Sequence, residues 1–141
     1  MRKTNGALNF FAAAIVAAGI VGCSGNGDET PSLPAEISAT ELDRRISANS
    51  APFILDVRTS EEFTAGHVPG AVNINHTRFI DDTAAAIEQL PEDKDAEIAV
   101  YCRSGSRASQ AIEQITGAGY DNVRHVTGDF QNWQAEGFLV Q

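Results

Sequence analysis

Ile98-Ala99-Val100-Tyr101-Cys102-Arg103-Ser104-Gly105-Ser106-Arg107-Ala108-Ser109 changes its character part-way along. Four residues of apolar or strand-forming character lead to a cysteine, and a tight polar loop with one glycine follows. After the loop, Ala108, Ala111, Ile112 and Ile115 recur at i, i+3, i+4 and i+7, the spacing of one helix face. The stretch therefore predicts strand, cysteine, loop, helix. Cys102 falls at the carboxyl end of a strand and at the mouth of a helix amino terminus.

That position has specific physics. A helix amino terminus carries backbone N–H groups without intrahelical partners and a partial positive charge. Successive loop N–H groups form a nest for an anion, and Gly105 permits a positive φ and a close backbone approach. Arg103 and Arg107 add full charges. A thiol placed here is pushed toward the nucleophilic thiolate, from a free value of ~8.5. The same cradle suits the terminal sulfur of a persulfide or the oxyanions of a substrate. The competing reading is a buried structural cysteine in a strand-to-helix turn. Structural cysteines rarely sit beside two arginines, which favours the reactive reading.

Working outward, Phe53-Ile54-Leu55-Asp56-Val57 is an apolar run broken by one carboxylate, the pattern of a buried parallel strand. Asp56 and Arg58 fall at its carboxyl end, where open α/β sheets bind ligands. Asp56 also reads as an acceptor that caps a helix or braces a loop. Arg58 either reaches the pocket or pairs with Glu61 or Glu62 at the surface. Ser60-Glu61-Glu62-Phe63 opens a capped helix that ends by Gly66, and His67-Val68-Pro69-Gly70 is a turn. Ala71 to Ile74 is a short strand. Phe79 to Leu90 predicts one helix with Ala84, Ile87 and Leu90 on its buried face, stopped by Pro91. Asn122 to Val126 is a last strand, and Phe130 to Ala135 a last helix with Phe130 and Trp133 as core. Near the start, Ser38-Ala39-Thr40-Glu41 fits a capping box, with Glu41 reaching back to Ser38. Its helix ends near Asn49, with Asp43, Arg44 and Arg45 on a solvated face. His67 braces its turn. His76 and His125 have no chemical role in this reading, and no histidines or acids show metal-ligand spacing. No internal repeat is visible. Alternating strands and helices predict a parallel sheet with helices on both faces.

The chain has 141 residues, 43% of them hydrophobic, and a formal net charge of −9. That is enough for one domain with a core. No basic block occurs, so a nucleic-acid partner is not expected. Residues 1–22 have the layout of a signal peptide: Arg2 and Lys3, an apolar run from Ala7 to Val21, then small residues. Ile20-Val21-Gly22-Cys23 resembles the bacterial lipobox, which implies cleavage before a lipidated Cys23. The competing reading, an uncleaved membrane anchor, is disfavoured by the shortness of the run. Residues 23–34 read as a flexible linker and residues 35–141 as the domain. Cleavage removes two positive charges and no negative ones. It also leaves Cys102 as the only free thiol, because the chain has two cysteines. Ser24 after the lipidated position resembles the pattern sent to the outer membrane in a Gram-negative host. In a single-membrane host the anchor sits in the outer leaflet of the cell membrane.

Taken together, Leu55-Asp56-Val57-Arg58, Glu62-Phe63, Gly66 to Asn73, Val100 to Ala108 and Val126-Thr127-Gly128 with Trp133 resemble the rhodanese family. The resemblance covers about residues 35 to 140. It implies a five-stranded parallel sheet of order 3-2-4-5-1 flanked by helices. It implies a Cys102 that takes a sulfane sulfur from a donor such as thiosulfate. A thiophilic acceptor such as cyanide or a thiol then removes it, without metal or organic cofactor. By the same resemblance Arg103, Ser104, Gly105, Ser106 and Arg107 form the cradle, with Arg103 on the donor's sulfonate. Arg107 pairs with a carboxylate such as Asp56 or Glu62, and Arg58 lies at the pocket rim. The related phosphatases and arsenate reductases use Cys, five residues, then Arg. Here Arg107 comes one residue earlier, which favours sulfur over a tetrahedral oxyanion. A non-turnover persulfide carrier for a protein partner remains the alternative function. One departure is visible. The family often has two glycines after its last strand, and here Asp129 follows Gly128. Capping of the last helix is the expected role of Asp129; an Asp129 facing the active loop would disfavour anionic donors.

Overall fold

Residues 35–141 are described in the structure, a computed structural model. The central strand, β4 (Ile98–Tyr101), is buried at all four positions and sends alternate side chains to opposite faces. Ile98, Val100 and then Cys102 enter one core, and Ala99 and Tyr101 enter the other. The remaining strands are β1 (Ala35–Ser38), β2 (Phe53–Asp56), β3 (Val72–Asn73) and β5 (Val123–Thr127). All pairings are parallel, in the order β1-β5-β4-β2-β3. Read from the opposite edge this is the expected 3-2-4-5-1.

The helices are α1 (Ala39–Ser47), α2 (Ser60–Ala65), α3 (His76–Asp81), α4 (Thr83–Ile87), α5 (Ser106–Gly117) and α6 (Asp129–Ala135). On one face Phe79 of α3, Ala86 of α4, and Ala108, Ala111, Ile112 and Ile115 of α5 pack on Leu55, Ile98 and Val100. On the other, Leu42 of α1 and Phe130 and Trp133 of α6 pack on Ile54, Ala99, Tyr101 and Val126. The periodicity of residues 108–115 thus identified the buried stripe of α5 correctly. Among the described residues no helix is long and apolar enough to cross a membrane. The signal peptide, the linker and Cys23 lie outside the described residues.

Several local expectations are corrected. Residues 35–38 carry no strand signal in the sequence, yet β1 pairs along β5 from Ala35↔Arg124 to Ser38↔Thr127. It is four residues long and buries only Ile37, too little for an alternation to register. Ser38 does cap α1, accepting from the Glu41 amide at 3.1 Å. The Glu41 carboxylate does not reach back; the Arg44 guanidinium donates to it twice, at 2.8 and 2.7 Å. Arg45 is not on a solvated face, because it binds Glu97 through two bonds of 3.0 and 2.6 Å. The complete capping box lies at α2, and its cap is Thr59, not Ser60: Thr59 and Glu62 exchange bonds of 3.0 and 3.3 Å. The single helix expected over residues 79–90 is two. Asp82 leaves helical geometry (φ −149°, ψ 70°) and caps α4 through the Ala85 amide at 3.3 Å. The break re-aims the chain, so Phe79, Ala86 and Leu90 point inward and Ala84 is exposed.

Candidate active site

The carboxyl ends of β2 and β4 and the amino terminus of α5 meet at Cys102. The loop from Arg103 to Gly105 turns the chain from strand to helix, and Gly105 stands at φ 108°, which disfavours an L side chain. The Gly105 amide donates to Cys102 Sγ at 3.0 Å. Among the described residues, no acceptor engages the amides of Arg103, Ser104, Ser106 or Arg107. The thiol is 1% exposed.

The loop is pinned from two sides. Arg107 donates to Glu62 through Nη1 at 2.6 Å and Nη2 at 2.9 Å, a fork-to-fork pair between α5 and α2. The Arg107 hydrogen bonds hold the Glu62 carboxyl down at about 2, against the opposing effect of burial. Of the two carboxylates expected to support Arg107, Glu62 takes the role directly. Asp56 turns instead to Arg58, which donates Nε at 3.0 Å to both carboxylate oxygens and Nη2 at 2.6 Å to Oδ2. Arg58 also donates to the Gly66 carbonyl at 2.8 Å and lies 3.9 Å over the Phe130 ring. It therefore pairs with neither Glu61 nor Glu62. Burial pushes the neighbouring Tyr101 hydroxyl up, with the Asp56 charge adding to the effect. His67 braces its turn as expected, through Nδ1 to the Phe63 carbonyl at 3.0 Å and a stack on the Phe63 ring.

The Glu62–Arg107 pair makes a stability prediction with a definite sign. Its folded carboxyl titrates near 2, below the ordinary 4.5. The pair therefore stabilises fully above the ordinary value, and this contribution fades as pH falls from there toward 2. Discounted for partial exposure, it is worth about 1–2 kcal/mol. Urea unfolding should show wild type losing more than half of that contribution, relative to Glu62→Gln, between about pH 6 and pH 3. Parallel losses in the two proteins would show that the pair stabilises nothing.

Beside the loop lies a pocket of about 320 Å3 between α2 and α6, walled by Arg58, Glu62, Arg103, Phe130, Gln131 and Gln134. Arg103 is exposed and free to meet an anion there. Arg58 contributes to the same wall while its guanidinium is held by Asp56 and Gly66. Gln131 and Gln134 were missed in the sequence; they sit beside core positions Phe130 and Trp133 on the outward side of a helix read only for packing. Among the described residues no cluster of histidine, cysteine or acidic side chains could hold a metal ion.

Residues 38–136 match the model of the rhodanese-like domain. The chain belongs to this family. The rhodanese-like domain is 34% identical over 101 residues to a putative sulfurtransferase of Bacillus subtilis, covering 72% of this chain and 91% of that protein. It is also 32% identical over 99 residues to an adenylyltransferase and sulfurtransferase of Candida albicans, covering 69% of this chain. The match spans only 23% of that larger protein. A crystal structure of a rhodanese-related protein from Thermoplasma volcanium superposes with a TM-score of 0.62 at 29% identity, covering 76% of this chain and 97% of that one.

Within this rhodanese-like domain, Asp129 takes the second of its two expected roles: it faces the active loop and does not cap α6. Asp129 makes no side-chain cap on α6. Its Oδ1 accepts from the Cys102 amide at 2.7 Å, and its Oδ2 meets His125 Nε2 at 2.9 Å. The turn needs positive φ at both positions, 74° at Gly128 and 55° at Asp129. A Cβ at residue 128 would stand 2.5 Å from Asn132 Cβ, so only glycine fits there. Asp129 tolerates the left-handed region better than most residues, and its carboxylate is thereby carried to the active loop. The missing glycine was visible in the sequence; the partner of the carboxylate was not.

Proposed function

We propose that this domain is a sulfurtransferase that carries a sulfane sulfur on Cys102. The observation that carries the reading is the Gly105 amide directed at Cys102 Sγ, at the head of α5, in a loop whose other amides have no acceptor among the described residues. The Cys102 thiolate attacks the outer sulfur of thiosulfate or a similar donor. A sulfur–sulfur bond forms to Cys102, the donor's own sulfur–sulfur bond breaks, and sulfite leaves with the electron pair. The loop amides and the helix terminus stabilise the anionic persulfide without metal or organic cofactor. A thiophilic acceptor, cyanide or a thiol, then takes the terminal sulfur and returns the thiolate. Arg103, Ser104, Gly105, Ser106 and Arg107 bind the donor and product, Arg58 walls the pocket, and Asp56 and Glu62 support the structure around it.

Intact mass tests this reading. Incubation with thiosulfate should add the mass of one sulfur atom at Cys102, and cyanide or a thiol should remove it. No gain from any sulfane donor would leave the fold standing and the function without support. Loading by a persulfide donor, with release only to a protein partner, would favour the carrier alternative. Arg103→Ala should raise the thiosulfate KM by roughly 10- to 150-fold, the equivalent of one lost charge-assisted contact of about 1.5–3 kcal/mol. An unchanged KM would place Arg103 outside the donor site.

We further propose that the domain works in the cell envelope, tethered by lipid on Cys23 after removal of residues 1–22, through the linker 23–34. In a Gram-negative host the outer membrane is the destination. The support is the charged start, the apolar run and the Val21-Gly22-Cys23 ending. Intact mass of the full chain extracted from membranes should match loss of residues 1–22 plus lipid on Cys23; a mass that retains residues 1–22 would point to the uncleaved anchor.

A further inference from the structure

Asp129 and His125 have no part in the sulfur chemistry described so far, yet they stand directly against the loop that performs it. Asp129 is 2% exposed. A carboxylate so buried needs compensation, and its two oxygens are spent on the Cys102 amide and the His125 ring, not on the amides of its own helix. The carboxylate and the reactive sulfur flank one residue. A Cβ on Gly105 would stand 3.2 Å from Asp129 Oδ2 and 3.4 Å from His125 Cε1, while the Gly105 amide faces Cys102 Sγ at 3.0 Å. The charge of this pair is therefore part of the environment of the cradle.

We propose that Asp129 and His125 form a positioning and charge-setting pair for Cys102. The carboxylate anchors the Cys102 amide, and the protonation of His125 decides whether the loop backs onto a neutral or a net negative pair, and so how well it accepts an anionic donor. The proposal rests on the reading of Cys102 as the nucleophile. With His125 protonated, the charges cancel. With His125 neutral, it still donates Nε2–H but leaves the carboxylate uncompensated.

The surroundings favour the protonated His125 ring. The Asp129 hydrogen bond raises the His125 ring above its ordinary value, against burial, and the Glu36 charge adds to the rise. Glu36 faces His125 from β1 in register, and β4 offers the uncharged Val100. From α6 comes Asp129, and from the loop the Gly105 backbone. Arg107, in the first turn of α5, is engaged by Glu62. Across the site His76 also titrates. Burial and then the Arg107 charge push it below its ordinary value.

Alkylation of Cys102 in the full chain reads the local charge without any sulfur donor. Iodoacetate and iodoacetamide each form a sulfur–carbon bond with the thiolate, and iodide leaves with the pair of the broken carbon–iodine bond. One reagent is anionic and the other neutral. The ratio of their rate constants cancels the thiolate fraction, and peptide mass reports Cys102 separately from Cys23. Between about pH 5.5 and 9 the iodoacetate-to-iodoacetamide ratio should fall roughly tenfold, the effect of one unit charge about 4 Å away at a nearly water-like dielectric. His125→Gln keeps a donor to Asp129 and should hold the ratio low and nearly flat, which separates His125 from His76. Asp129→Asn keeps an acceptor for the Cys102 amide and should move the fall to lower pH while raising the ratio at the alkaline end. A purely structural pair would change neither. If both reagents modify Cys102 and the ratio follows the same curve in wild type and His125→Gln, the proposal is overturned alone. If neither reagent modifies Cys102, the nucleophile reading falls and the proposal with it.

Discussion

Cys102→Ser should abolish persulfide formation and steady sulfur transfer, a loss of at least about 10³-fold, while the domain stays folded. A serine hydroxyl does not ionise at neutral pH, and its oxygen forms no stable bond to a sulfane sulfur. The cradle itself survives the change. Gly105 still donates to the atom at the γ position, the Cys102 amide still reaches Asp129, and Glu62 still holds Arg107. Thermal unfolding within a few degrees of wild type, combined with no mass gain from thiosulfate, is the expected pair of results. Residual turnover near the wild-type rate would move the nucleophile elsewhere and remove the basis of the proposed mechanism.

The largest stability effect is expected from Arg58→Leu, which should cost about 3–5 kcal/mol. The reason lies in Asp56, which is fully buried at the carboxyl end of β2. Three guanidinium contacts of 2.6 to 3.0 Å compensate its charge, together with the Arg58 backbone amide at 2.9 Å. Removing the guanidinium strands a carboxylate in the core beside Tyr101 and frees the Gly66 carbonyl. In a domain of this size the loss corresponds to a fall in Tm of at least about 12 °C. The double replacement Asp56→Leu with Arg58→Leu should be less destabilised than Arg58→Leu alone, because no charge is left without a partner. A Tm drop of only a few degrees in the single variant would show that water or rearrangement compensates Asp56. The pocket wall beside Gly66 and Phe130 should loosen in the same variant, because Arg58 ties both to β2.

Much of this protein is local in origin, and that part was legible. The apolar, strand-forming run from Ile98 to Tyr101, followed by the helical period from Ala108 to Ile115, set the central strand, the helix and the cysteine between them. Those signals depend only on which neighbours along the chain are apolar. The same holds for the turn at Pro69-Gly70, the cap at Ser38 and the inward Phe130 and Trp133. The departures were of another kind. β1 is an edge strand with one buried side chain, Ile37, and exists because β5 offers it a partner. The helix expected over residues 79–90 divides because Asp82 caps a second helix, and the packing then chooses Ala86 over Ala84.

The site divides the same way. The strand–Cys102–loop–helix cradle, its glycine and its two arginines lie within one short run of chain and are legible there. Which charge meets which depends on the assembled fold. Glu62 and Arg107 are 45 residues apart, and Cys102 and Asp129 are 27 apart. Asp56, offered as a partner for Arg107, lies instead in the core with Arg58. Periodicity reports which face of an element is buried, whereas a hydrogen bond needs two groups brought within about 3 Å at a workable angle. That placement follows from the order and register of the strands, and from the two positive φ angles that turn β5 into α6 and aim Asp129 at the active loop.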